Sequence, residues 1–267
     1  MNAHDDPWAA LGDAGSFDED VARHRPARRD APAAVSNPGE TILVIGACGG
    51  CGTSTVASGM ALVIAGRQGI ANLVDLDLAW GDLHGSWGLR RDRTLQDLAA
   101  VRHELTPDQI GMVLAHHPSG VRLALSPGRP DAGHDWDADT VARLLGGLAT
   151  GGPTIVDTGR ADPDMVVGAG TVATHRLIVT PPSVRGARGT GQIMDALGRD
   201  VEVVVNQALH SADLGMRGFR RLVGCPVRAV LPRRPGEAEW LVAGLLPRGR
   251  RRPLRDAIET LVTGGTS

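Results

Sequence analysis

The segment Ile45-Gly-Ala-Cys-Gly-Gly-Cys-Gly-Thr-Ser-Thr55 carries most of the chemistry legible in this chain. It joins a short apolar run, residues 41–45, to a stretch of helical periodicity over 54–65. Closely spaced glycines let a backbone curl until successive N–H groups aim at one point. A helix N-terminus adds partial positive charge there, and the product is an anion site suited to phosphate. Gly49, Gly50, Cys51, Gly52, Thr53, Ser54 and Thr55 are the candidate binding residues. Ser54, at the helix start, is placed to cap the helix or to hold a magnesium ion. Carboxylates follow two other apolar runs: Asp75 and Asp77 after residues 71–74, and Asp157 after 153–156. One strand-end carboxylate usually caps a turn; three around one glycine loop read as a site.

The scaffold that must position these residues is visible in the patterning. Apolar runs at 41–45, 71–74, 121–125, 153–156, 175–179, 201–205 and 226–231 read as buried strands. Helical spacing covers 54–65, 93–101, 106–116, 139–148 and 189–197. Strands alternating with helices through short turns predict an α/β fold, a doubly wound and mostly parallel sheet. The 267 residues and 42% apolar content suffice for one such domain over 40–267. Residues 1–39 differ: acids at Asp5, Asp6, Asp13, Asp18, Glu19 and Asp20 precede Arg23, Arg25, Arg28 and Arg29. Apolar residues there are too sparse to offset ordering entropy, which predicts a disordered tail. The net charge of −2 argues against a wholesale nucleic-acid binder, and the absence of Tyr with only two Phe argues against a base-stacking platform. Three cysteines make no disulfide framework. No apolar run approaches the about 20 residues of a membrane span, so a cytoplasmic protein is expected, with peripheral contact at the inner membrane face left open. All 28 basic residues are arginine, so any mechanism that needs a lysine is excluded.

The run Cys48-Gly-Gly-Cys-Gly-Thr-Ser-Thr55 resembles the deviant phosphate-binding loop of the ParA/MinD family of P-loop ATPases, whose pattern is Lys-Gly-Gly-x-Gly-Lys-Thr/Ser-Thr. Cys48 stands in place of the signature lysine and Thr53 in place of the loop lysine. Asp75-Leu-Asp77 is similar to the family's second motif, and Asp157 to its Walker B aspartate. Asn206 sits where the family often has an adenine-contacting asparagine. Residues 74–83, Asp157-x-x-Arg160 and the segment 244–254 resemble the CpaE/TadZ branch, which helps localise Flp/Tad pilus assembly. They are similar to actinobacterial CpaE-like proteins, some described as septum-site-determining.

The resemblance implies an ATP or ADP site with magnesium held by Ser54, by Asp157 (partly through water) and by Asp75, with Asp77 orienting a water. It implies a nucleotide-linked homodimer and partners in pilus or secretion assembly or in septum placement. The missing lysines would have neutralised phosphate charge, so it also implies weak to moderate binding and slow or absent hydrolysis. Arg160 and Arg185 are the nearest arginines to strand ends that could compensate.

Other readings compete. Gly46, Gly49 and Gly52 with Asp75 downstream mimic a dinucleotide fingerprint, which would make the chain an NAD(P)-dependent oxidoreductase. A DNA-partitioning ATPase is a second alternative. Cys48 and Cys51 form a C-x-x-C at a helix N-terminus, where a thiol pKa is lowered; they read best as small replacements in the loop. Arg248, Arg250, Arg251, Arg252 and Arg255 precede a last helix bearing Leu254, Ile258, Leu261 and Val262. Anionic lipid and DNA phosphate both suit such a cluster, while a helix packed on the sheet is the simpler reading. His116-His117 reads as a helix end.

Overall fold

The structure is a computed structural model that describes residues 39–159, 161–207 and 214–264. The expected tail, apart from Gly39, lies outside the described residues, as does Arg160.

The strand β1 (Thr41–Gly46) is buried over its first five positions. Ile42 and Val44 join one core while Leu43 and Ile45 join a second, so this strand needs helices on both faces. The chain continues through α1 (Thr53–Gln68), β2 (Ala71–Asp75), a short α2 (Leu83–Ser86), a 3-10 stretch Leu95–Glu104, α3 (Pro107–Val113), β3 (Leu114–His116) and β4 (Val121–Ala124). It proceeds through α4 (Ala138–Ala149), β5 (Thr154–Asp157), α5 (Pro163–Val172), β6 (His175–Thr180) and α6 (Val184–Leu197). Last come β7 (Glu202–Asn206), α7 (Met216–Val223), β8 (Val227–Leu231), α8 (Pro235–Val242) and α9 (Pro253–Thr263). The eight strands form one sheet in the order β3-β4-β2-β5-β1-β6-β7-β8. Every pairing is parallel except β3 with β4. The predicted α/β architecture is the one observed.

The order of the strands overturns the dinucleotide reading. In a dinucleotide-binding sheet, the strand ending in the ribose-binding acid lies beside the strand that enters the glycine loop. Here β5 lies between β1 and β2, which moves Asp75 one strand away from that loop's strand. Two helical expectations are also corrected. Of residues 93–101, those from Leu95 onward form part of the 3-10 stretch Leu95–Glu104. Residues 106–116 divide into α3 and the antiparallel β3, so His116 ends a strand and not a helix. His117 then opens a tight turn, in which the Gly120 N–H donates to its carbonyl at 3.0 Å.

α1, α8 and α9 supply one core, α3, α4 and α5 a second, and α6 and α7 a third. Leu254, Ile258, Leu261 and Val262 of α9 are all buried in the first of these. A Cβ on Gly59 of α1 would press on Ile258 at 2.7 Å, so the two helices are in close contact. The apolar face that the sequence offered to a lipid surface is used in the core. The sheet-packed reading of the C-terminal helix is the one observed.

Candidate functional site

β1, β2 and β5 end side by side, at the carboxyl edge where open α/β sheets bind ligands. Asp157 pairs in register with Val44 on one side and Asp75 on the other. The glycine loop leaves β1 over this edge. The Cys51 N–H donates to the Cys48 carbonyl at 3.3 Å, closing a turn across Gly49 and Gly50. Gly50 (φ 76°) and Gly52 (φ 93°) adopt left-handed conformations that favour glycine. A Cβ on Gly49 or Gly50 would meet nothing within 4 Å, whereas one on Gly52 would strike the Asn206 amide nitrogen. The outer arc therefore opens on free space, and Asn206 pins the inner arc by donating from Nδ2 to the Cys51 carbonyl at 2.9 Å.

Helix α1 starts at Thr53 behind the N-cap Gly52, and no side chain caps it. Ser54 is inside the first turn, so the capping role expected of it is not the one observed. Its hydroxyl instead stands near enough to the Asp157 carboxylate to favour its charged form. A cavity of about 460 Å³ gathers Gly49, Gly50, Gly52, Thr53, Ser54 and Thr55 of the loop. Asp75, Asp77 and Asp157 line it as well. The buried Cys51 thiol lies 3.3 Å from Thr53 Oγ1, behind the loop. Asn206, expected on an adenine ring, also stands behind the loop and does not line this cavity.

Reasoning from the sequence missed part of the lining. Cys48, Trp80, Asp82, Ser86 and Val242 all contribute. Trp80 is 59% exposed, and its backbone N–H donates to Asp77 Oδ1 at 3.0 Å. An exposed tryptophan next to an acidic motif was the available signal; Val242 arrives from α8 with no local signal at all. A second cavity of about 350 Å³, lined by Arg234, Trp240, Pro247 and Arg252 among others, holds none of the loop or strand-end residues.

The electrostatics are those of crowded buried acids. Burial pushes Asp157 up to about 6, against the Ser54 hydroxyl and the Gly159 N–H that favour its charged form, and Asp77 adds to the rise. Burial also holds Asp75 well above the usual carboxylate range, helped by Asp157. The Leu83 N–H opposes this by donating to Asp75 Oδ2 at 3.2 Å. The thiol expectation is reversed: burial and the adjacent Cys51 raise Cys48, and Arg185 only partly offsets them. No Arg lines the cavity among the described residues.

The residues present fit a nucleotide phosphate with magnesium. The loop offers uncapped helix-start amides and an arc with no side chains. Among the described residues no three acids, imidazoles or thiols form a metal cage. Magnesium bound with phosphate needs only one or two protein oxygens, and Ser54 and Asp157 supply an adjoining pair. Asp75, paired in register with Asp157, is held by the Leu83 turn.

No protein-family model matches the chain, and neither does any curated protein sequence. Solved structures do match in fold. A ParA family ATPase from Chlorobium tepidum TLS superposes with a TM-score of 0.73 at 21% identity, covering 84% of this chain and 98% of its own. The septum site-determining protein MinD of Pyrococcus horikoshii OT3, complexed with Mg-ADP, gives 0.67 at 16% identity over 84% and 94%. An ATP complex of a Cyanothece McdA variant gives 0.67 at 14% identity over 85% and 97%. The fold of this chain is that of the ParA/MinD P-loop ATPases.

Proposed function

We propose that this chain is a magnesium-dependent nucleotide-binding protein of the ParA/MinD type, CpaE/TadZ-like, that hydrolyses ATP slowly or not at all. Its role on this reading is spatial: positioning an Flp/Tad pilus or secretion assembly, or the division septum, through a nucleotide-linked homodimer. The observation that carries the reading is the convergence of a glycine loop, Ser54, Asp77 and Asp157 on one cavity that, among the described residues, no Arg lines. The amides of the loop and of the first turn of α1 hold phosphate. Ser54 and Asp157 hold magnesium, with Asp75 behind them on the adjoining strand, and Asp77 orients a water. Bound magnesium supplies positive charge that none of the described lining side chains carries. Solved neighbours of the same fold include Mg-ADP and ATP complexes, which supports this choice of ligand.

Calorimetry with ATP and ADP, with and without magnesium, tests the proposal. Binding at micromolar to millimolar concentration with turnover far below one per second is expected, against a common enzyme range of about 1–1000 per second. Rapid turnover, or no heat with either nucleotide, would refute it. Sizing with and without nucleotide tests the dimer.

One observation favours a second reading, a DNA-partitioning ATPase: Arg248, Arg250 and Arg251 form an exposed basic loop. Salt-sensitive DNA binding that requires ATP would support that reading instead.

A further inference from the structure

Cys48 and Cys51 frame the turn at the tip of the glycine loop. The hydrogen bond from the Cys51 N–H to the Cys48 carbonyl makes Cys48-Gly-Gly-Cys51 a β-turn, whose end Cα atoms lie within about 7 Å. A disulfide requires Cα atoms about 4.4–6.8 Å apart. Cys48 packs against the buried core cluster that contains Cys51. The intervening glycines carry no side chains to obstruct them, and a Cβ on either would meet nothing within 4 Å. The two sulfurs differ in access. Cys48 is half-buried and lines the cavity, while Cys51 is 2% exposed. An accessible thiol beside a shielded one is the arrangement that exchanges with a disulfide and then resolves the adduct.

We propose that Cys48 and Cys51 are a reversible dithiol–disulfide site, and that its substrate is a low-molecular-weight disulfide. The Cys48 thiolate attacks one sulfur of the disulfide, breaking its S–S bond and expelling the first thiolate. The Cys51 thiolate then attacks the Cys48 sulfur of that mixed disulfide, forming the internal bridge and expelling the second. The two protein thiols give up two electrons and two protons; the small disulfide takes them and leaves as two thiols. Proximity drives the exchange, because Cys48 is not an acidic thiol. The oxidation state of the pair reaches the cavity through Cys48, and the site does not depend on which ligand the cavity holds.

Folded full-length protein incubated with oxidised glutathione tests this. Non-reducing peptide mapping is expected to join Cys48 to Cys51, with a mass loss of two hydrogens that dithiothreitol reverses. Cys51→Ser is expected to stop at a stable glutathione adduct on Cys48, and Cys48→Ser to form no bridge. In glutathione redox buffers the bridge is expected to be favoured by about tenfold or more in the folded chain over the same chain in urea. A persistent glutathione adduct in the unsubstituted protein, oxidation confined to Cys225, or equal constants folded and unfolded would overturn the proposal.

Discussion

Asp157 gives up its water shell on folding. It goes from water to a fully buried strand end opposite Asp75, and its pKa rises to about 6. A carboxyl raised in this way binds its proton more tightly folded than unfolded. Its stabilising term is therefore complete below the unfolded value of about 4 and is lost as pH climbs through about 6. Asp75 is shifted in the same direction. Urea unfolding of the nucleotide-free protein and of Asp157→Asn, compared between pH 4 and 7, isolates the effect. The variant is expected to gain roughly 2 kcal/mol on the parent at pH 7 and almost nothing at pH 4. A variant less stable than its parent at pH 7 would show that the charged form is welcome there. Gly52 sets a separate test. Alanine there must accept φ 93° and a Cβ in the Asn206 amide, so Gly52→Ala is expected to lose about 1–3 kcal/mol and to weaken phosphate binding. Asn206→Ala should recover part of that stability by clearing the space.

At the scale of elements, α9 separates packing from charge. Ile258 is fully buried against α1, whereas Arg250 and Arg251 are exposed. Ile258→Ala is expected to cost about 2–5 kcal/mol, and Arg250→Ala with Arg251→Ala to stay within about 0.5 kcal/mol each, as thermal unfolding would measure. Equal, small effects would return the helix to the surface. The same scale explains what could be read in advance. β1, β2, β5 and β7 are nearly continuous apolar runs because both faces are covered, and such runs stand out. β3 did not, because Ile110, Val113 and Leu114 continue a helical apolar spacing; only the Pro118-Ser-Gly120 turn marked the reversal. α5, with glycines at 168 and 170, and α8 lie outside the helical spacing legible in the sequence. At the site, the glycine loop and the strand-end acids were legible because they are contiguous motifs. The bracing role of Asn206 was not, since it depends on a contact spanning the sheet from β7 to the loop.

For the whole molecule, the decisive quantity is the charge that meets a nucleotide. Asp75, Asp77, Asp82 and Asp157 line the cavity, and among the described residues no Arg does. With no lysine anywhere in the chain, the amide dipoles of the loop are set against these acids when a free triphosphate approaches. Magnesium changes the sign of that balance. Ligand binding to the folded state raises global stability by mass action, so the melting temperature reads out the site. Nucleotide with magnesium at about a hundred times its Kd adds about 2.7 kcal/mol, which in a chain of this size raises the melting temperature by several degrees. The same nucleotide with EDTA is expected to leave it unchanged. Thr53→Lys, which puts an ammonium group at the first position of α1, is expected to restore a shift without magnesium. If free ATP stabilises the unsubstituted protein as well as its magnesium complex does, cation-free binding is already favourable and the amide loop alone outweighs the acids around it.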